Sequence, residues 1–413
     1  MAMLSAVDYH TSWQAEPNVA LPPAFYEYSF YAVMTYAHLG QAWGLNVPSL
    51  GATALVLLAI ACLIHVHTRM VEVFAPIWLA LCCAIGVIAV QVYSHSEEPI
   101  DETTPFVTWL LMLVIVRTLS LRPRFLHRFA LAAFGMGLLT LPFLSMDYGD
   151  GVLRASVRGT GLSNPNVLAL WFGFCYVYFL VFSIQTTHLS VRILAVVVAC
   201  GCLYVVGITV SRGALLGLAV ASVTAFHRSL KQHFLPVLSL VIVSWIVFES
   251  GLFDQVTDAF FERGMQETGR GIIWPLVFER FLDSPWEGVG LAHIHTPLGL
   301  KAVYPHNGIL YVALAAGIIP LAFFLAYLLR AAWMAFRTDA NLFPDARFLP
   351  PLLALTFAEI MVADESFMSP WIIVVLTYAV SRDGGSGGVQ IAAPAISRRG
   401  REGLWNRQAS ETG

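Results

Sequence analysis

The stretch "VYPHNGILYVALAAGIIPLAFFLAYLL", Val303 to Leu329, decides the fold. No charged side chain lies between His306 and Arg330. A helix crosses a hydrocarbon core of ~30 Å in about 20 residues, so the run reads as a membrane span over residues 306–329. Its opening residues Tyr304, Pro305, His306 and Asn307 put a titratable imidazole at the mouth of that span, between water and hydrocarbon.

Runs of the same kind recur on both sides of it. Spans are predicted at 47–65, 73–93, 104–120, 129–145, 164–185, 193–210, 214–226, 234–249, 306–329, 347–363 and 369–381, with a weaker aromatic one at 26–44. The chain has 413 residues, 58% of them hydrophobic and 12% charged, with a mean hydropathy of +0.71. That leaves too little polar surface to coat a soluble globule of this size. The fold class is therefore an all-α polytopic membrane protein with eleven or twelve transmembrane helices. Residues 1–46 form an N-terminal segment holding the weak first span, and residues 47–381 form the membrane domain with a long external loop over 250–305. Residues 382–413, Gly- and Ser-rich at the start, are expected to be a disordered cytoplasmic tail. The first 25 residues lack a basic region followed by an apolar one, so no cleavable signal peptide is expected. All six cysteines, Cys62, Cys82, Cys83, Cys175, Cys200 and Cys202, fall in apolar runs and read as small core side chains, not as disulfides or zinc ligands.

Alternating crossings place the basic clusters "VRTLSLRPRFLHR" (from Val116), "HRSLKQH" (from His227), "RAAWMAFRTD" (from Arg330) and "SRRGREGLWNR" (from Ser397) on one side. By the positive-inside rule that side is the cytoplasm. Only Arg154, Arg158, Arg212, Arg263, Arg270, Arg280 and Lys301 of the 23 basic residues then face outward. The outer side carries acid instead, as in "SHSEEPIDET" from Ser94. Two outer segments are long: "MDYGDGVLRASVRGTGLSNPN" from Met146, and residues 250–305.

Within the second, "WPLVFERFL" spaces Trp274, Val277, Phe278 and Phe281 along one face of an amphipathic helix, one that lies on the outer leaflet or caps the bundle. Pro275 suits its first turn, and Arg270 leads into its N-terminus, where backbone N–H groups favour an anion. A lipid headgroup satisfies Arg270 equally well. Arg212, in "GITVSRGALLGLAV", sits between two apolar segments, where a guanidinium needs a counter-charge or water. Glu359 is embedded near the outer end of its own span and is a candidate partner for Arg212. Arg154 and Arg158 can reach a diphosphate or an anionic sugar, and each reads more simply as a surface charge. His293 and His295 form an HxH pair that with His306 supplies three zinc-type ligands, without a matched fourth. Glu287, Asp364 and Glu365 are external carboxylates able to serve as bases.

The ordered set "SRGALLGL", "GRGIIW…SPWEGVGLAH" and "PHNGILYVALAAGIIP" resembles the O-antigen ligase and polymerase superfamily, and "GLSNPNVLAL" is similar to the Asn-bearing stretch that precedes a span in many members. The resemblance runs over about residues 130–365. It implies a metal-independent glycosyltransferase of the helical C-type architecture, with no cofactor. The enzyme would take a glycan from a polyprenyl-diphosphate-linked oligosaccharide on the periplasmic face of a bacterial inner membrane. The acceptor would be lipid A core, in a ligase of lipopolysaccharide biosynthesis, or another lipid-linked glycan, in a polymerase of surface or exopolysaccharide. His306, Arg212 and Arg270 are the catalytic residues on this reading. Arg212, Arg270, Asn307, Asn166, Arg158 and Glu359 are the substrate-binding ones.

The chemistry agrees with that assignment. Cleaving a sugar–diphosphate bond develops negative charge on the leaving oxygen, and guanidinium forks hold such charge in a partly dry site. The acceptor hydroxyl then needs only to be oriented or deprotonated, which a neutral imidazole does. The rival class is a transporter or permease, but that architecture places ionisable residues near the midplane on repeated, broken helices. No internal repeat is visible here. Without a Gly-x-x-x-x-Gly-Lys loop, nucleotide chemistry is not indicated, and no nucleic-acid partner is expected.

Overall fold

The computed structural model describes residues 21–45, 47–74, 76–95, 99–149, 152–160, 162–226, 270–290, 305–338, 344–361 and 368–381. In chain order the main elements are α1 (Ala24–Leu39), α2 (Pro48–Val66), α3 (Pro76–His95), α4 (Pro99–Leu119), α5 (Phe125–Thr140), β1 (Leu144–Gly149), β2 (Val152–Val157), α6 (Pro165–Gln185), α7 (Leu189–Ile208), α8 (Arg212–Phe226), α9 (Arg270–Asp283), α10 (Gly308–Ala316), α11 (Ile318–Arg337), α12 (Leu349–Ile360) and α13 (Pro370–Val380). Among the described residues seven helices, α2 to α7 and α11, are long and apolar enough to cross a membrane. α1, α8, α12 and α13 are shorter helices at four more of the predicted spans. The span predicted at 234–249, the tail 382–413 and residues 1–20 lie outside the described residues.

Burial sorts the helices into centre and rim. The apolar window of α6 is 78% buried, against 28% for α2 and α7, and every residue from Trp371 to Val380 of α13 is buried. A helix apolar all round belongs inside a bundle or against lipid. α6 and α13 take the first place. α2 and α7, with Leu57, Ile64, Ile193 and Val197 exposed, suit the second, because water would not tolerate so continuous an apolar surface. Small residues set the central spacing. A Cβ on Gly173 of α6 would lie 3.1 Å from Leu218 Cδ1, and one on Gly217 of α8 would lie 3.1 Å from Leu355 Cδ1 and 3.2 Å from Ala358 Cβ. α6, α8 and α12 therefore pack backbone to side chain, as small residues allow.

α1, read from sequence as the weakest span, is anchored by charge. Glu27 is only 2% exposed. It accepts from Arg128 Nε and Nη2 at 2.7 and 2.8 Å and from Tyr31 Oη at 2.6 Å. Arg122 Nε lies 2.8 Å from Glu27 Oε2 as a charge contact lacking hydrogen-bond direction. Glu27 is the buried member, so losing both arginines would leave its charge uncompensated, at a cost of about 3–5 kcal/mol.

Two features depart from the sequence reading. The long outer segment around Met146, given no secondary structure from sequence, holds a hairpin: β1 and β2 pair antiparallel, with Leu144 opposite Val157 and Gly149 opposite Val152. The other departure is the 306–329 span, which is broken. α10 ends at Ala316, Gly317 adopts φ 82° and ψ −169°, and α11 starts at Ile318. His306 therefore opens a separate nine-residue helix that precedes the span, and the span itself is α11.

The break has a specific cause. A continuous helix would join Ile318 N–H to the Leu314 carbonyl. Here Ile318 N–H donates to the Pro285 carbonyl at 2.8 Å, and the Leu314 carbonyl accepts from Val289 N–H at 2.8 Å. The turn "PWEGV" thus inserts its backbone into the helix and satisfies both opened groups. Any Cβ on Gly317 would collide with the Trp286 carbonyl, and one on Gly288 (φ 76°) would collide with the Leu314 carbonyl and Ala316 N.

We expect Gly317→Ala to destabilise the detergent-purified protein by more than ~2 kcal/mol, through a glycine-only backbone conformation plus the collision. Gly201→Ala, inside α7 with nothing within 4 Å of the added Cβ, should be neutral or stabilising by up to about 1 kcal/mol. Thermal unfolding of the two variants side by side checks the contrast.

Candidate functional site

The candidate residues gather at the end of the bundle that carries the β-hairpin. α8 begins on Arg212, and α12 ends at Ile360, just past Glu359. Because Gly217 of α8 meets Leu355 and Ala358 of α12, the half-buried Arg212 and the 3%-exposed Glu359 share one end of a packed helix pair.

His306 and Asn307 join the same place. Asn307 is the N-cap of α10: its Oδ1 accepts from Ile309 N–H at 2.9 Å and Leu310 N–H at 3.1 Å. Its Nδ2 approaches the Met361 carbonyl, just beyond α12, at 3.5 Å. Asn307 is itself buried, so its carboxamide is committed to holding α10 onto the end of α12. His306 just before it is exposed and takes φ 48°, a left-handed conformation uncommon outside glycine. The histidine is thus presented by a corner that its neighbour pins.

α9 closes the arrangement from the other side. Ile273, Val277 and Phe281 pack on Leu310 and Leu314 of α10 and on Val289, so this helix caps α10, one of the two placements expected. Trp274 Nε1 donates to the Pro305 carbonyl at 2.8 Å, directly before His306. Two details differ from the sequence reading. Phe278 is 52% exposed, on the opposite face. The helix also starts a turn earlier than expected, on Arg270 itself, which leaves Pro275 inside it. Glu287 is exposed in the inserted turn. His293, His295, Asp364, Glu365, Arg263 and Lys301 lie outside the described residues.

The hairpin contributes the residue that sequence reading undervalued. Arg154 of β2 is 6% exposed. Its Nε donates to the Thr209 carbonyl at 2.9 Å, and its Nη2 donates to Asn166 Oδ1 at 2.8 Å. Thr209 caps the C-terminus of α7, and Asn166 stands exposed in the first turn of α6. The sequence did carry a signal. "LRASVR" alternates Leu153, Ala155 and Val157 with Arg154, Ser156 and Arg158, which is the period of a strand. It is preceded by Asp150–Gly151, a strong hairpin dipeptide. Arg158, by contrast, is 74% exposed and pairs with Asp147. That guanidinium, then Ser156 and Ser145, holds the Asp147 carboxyl below the usual carboxylate range. The hairpin's polar face therefore keeps its charge at neutral pH, and this contribution is lost only as pH falls through the depressed value.

Residues 194–325 match the family model described as O-antigen ligase. The match supports a place in the O-antigen ligase and polymerase superfamily. The matched segment holds Arg212, Arg270, His306 and Asn307, while Arg154, Asn166 and Glu359 lie on either side of it. No curated protein matches the chain. The family match supports glycan transfer of the O-antigen ligase type in general, with lipid-linked glycans and a membrane as its setting. It agrees with seven helices fit to span one.

Asn307→Ala removes the cap oxygen and should cost about 0.5–2 kcal/mol of stability. Limited proteolysis should find the loosening at the His306 corner, with the rest of the bundle as resistant as before.

Proposed function

We propose that this protein moves a glycan from a polyprenyl diphosphate carrier to an acceptor sugar hydroxyl at the periplasmic face of a bacterial inner membrane. The observation that carries the reading is the convergence at one end of the bundle of the α8 N-terminus with Arg212, the α12 terminus with Glu359, and the His306 corner that Asn307 pins to Met361. Donor and acceptor are recognised by different chemistry, and this end offers both kinds.

Arg212 and Arg270 hold the diphosphate. Each opens a helix, where the backbone N–H groups and the dipole add to the guanidinium charge. As the glycosidic oxygen departs, its growing charge is met by groups already in place, which makes protonation by an acid unnecessary. Catalysis on this reading rests on fixed cations and needs no metal. His306, exposed on its strained corner, accepts a hydrogen bond from the acceptor hydroxyl and takes its proton as the new bond to the anomeric carbon forms. Asn307 serves this step by positioning the imidazole. Glu359 and Asn166 lie at the same end as binding residues, and Arg158 reaches out from the hairpin toward the glycan.

The direct test supplies purified protein with a polyprenyl-diphosphate oligosaccharide, with and without lipid A core, in the presence and absence of a chelator. Movement of glycan to the core marks a ligase, lengthening on the carrier marks a polymerase, and chelation should leave either intact. Unchanged donor in every arm, from protein shown to be folded, counts for the transporter class. Arg212→Lys should be nearly as inactive as Arg212→Ala, since lysine keeps the charge and loses the fork; near-normal turnover in the lysine variant would take Arg212 out of the diphosphate site.

His306→Gly separates chemistry from architecture. Glycine relieves the φ 48° corner, so the variant should be at least as stable as the parent. Its turnover should fall by roughly 10²–10⁴-fold, the usual loss for an absent general base. A stable glycine variant with unchanged single-turnover rate would exclude the imidazole from the reaction.

A further inference from the structure

We infer that Arg154 is a positioning residue for the donor site, acting through Arg212 and Asn166. The inference rests on the glycan-transfer reading above and adds the device that holds its diphosphate-binding end in shape.

The argument starts from the joint between α7 and α8. Only Val210 and Ser211 lie between the Thr209 cap and Arg212. Val210 has φ 52°, a left-handed conformation that a β-branched residue adopts only under constraint. Ser211 is 5% exposed, and its carbonyl already accepts from Leu215 N–H at 3.1 Å as the first bond of α8. The direction in which Arg212 leaves the bundle is therefore fixed by a two-residue turn that would relax if released.

Arg154 supplies the restraint. Its Nε bond to the Thr209 carbonyl, at 2.9 Å, fixes the last turn of α7 immediately before the strained residue. Its Nη2 bond to Asn166 Oδ1, at 2.8 Å, ties the same guanidinium to the start of α6. The planar fork thus spaces the α6 N-terminus against the α7–α8 joint, a geometry that lysine, with one point of charge, cannot reproduce. The level of the helices agrees. Tyr176 of α6 meets Ser222 of α8 at 3.0 Å, which, counted back along two helices running the same way, sets Asn166 level with Arg212. These two bonds go to oxygens on two different helices, and Arg154 is almost wholly buried. Its place is structural, but what it holds is the mouth of the site.

The test measures donor-concentration dependence of glycan transfer, thermal stability, and binding of undecaprenyl diphosphate, for wild type, Arg154→Gln, Arg154→Lys, Asn166→Ala and Arg212→Lys, with Arg154→Gln combined with Arg212→Lys. We expect Arg154→Gln to lower kcat/KM for the donor about tenfold or more per folded molecule, the scale of a lost charged hydrogen bond. Arg154→Lys should recover part of that loss, and Asn166→Ala should show a milder loss in the same direction. The double variant should be little worse than Arg212→Lys alone, because the two act in series. If Arg154→Gln does not fold, the lysine variant and Asn166→Ala carry the test. A lowered melting temperature with kcat/KM and diphosphate binding unchanged, or losses that simply add in the double variant, would overturn the inference. Absence of transfer by wild type would overturn the functional reading instead, and the diphosphate-binding arm still reports on the coupling.

Discussion

The exchange of one helical hydrogen bond for two inserted ones, at Gly317, governs where the candidate site can sit. In a membrane helix each backbone group must find a partner, so a break is tolerated only where another segment supplies one. The turn from Pro285 to Val289 does so at both opened groups. It thereby fixes α9 and α10 to the head of α11, and the Val277–Leu314–Val289 cluster fills the angle between them. The Trp274 bond to the Pro305 carbonyl carries that placement onward to the His306 corner. A histidine on an unbroken span would be aimed by the tilt of that span. Here it is aimed by a loop-and-helix cap that can be shaped independently of the membrane crossing.

How much of this was legible in the sequence depends on the range of the interaction. Spans were readable because membrane burial is a local property of composition, and each predicted span within the described residues is helical, the 306–329 one as two helices. α1 was the weakest of them because its docking is ionic: Glu27 finds Arg128 and Arg122 about a hundred residues away, a pairing that hydropathy does not register. The break at Gly317 was hidden for a related reason. "LAAGIIP" is as apolar as the helices around it, and the partner that opens it is more than twenty residues upstream. Gly317 and Pro320 were the available hints. The hairpin is harder to read despite its alternation, because two six-residue strands between membrane spans carry little signal beside the helices around them.

The candidate site shows the same division. Arg212, Arg270 and His306 stand at expected helix mouths in the sequence, and α8, α9 and α10 do begin at or next to them. Arg154 was read as a surface charge because nothing near it in sequence says that it is buried. Its partners, Asn166 and Thr209, come from two helices that the hairpin must first reach across. Asn307, conversely, looked like a binding residue, and its oxygen is spent on the N–H groups of Ile309 and Leu310. An asparagine before an apolar helical run is above all a cap, and that local rule described it better than its proximity to the histidine.

Two of the three non-glycine residues with left-handed backbone among those described, Val210 and His306, stand two residues before Arg212 and at the candidate base. Such conformations cost roughly 1–2 kcal/mol each, and they persist only where the surroundings over-determine them. The restraints are Arg154 on Thr209 in one case, and Trp274 on Pro305 with Asn307 on α10 in the other. Several of these restraints lie outside residues 194–325. Arg154 and Asn166 come before that stretch, while Met361 and the Leu355–Ala358 face that seats Gly217 come after it. The matched segment therefore carries Arg212, Arg270 and His306, and the flanking helices carry part of the geometry that brings their elements to one end of the bundle. A substitution in α6, β2 or α12 can consequently shift those three side chains without touching any of them.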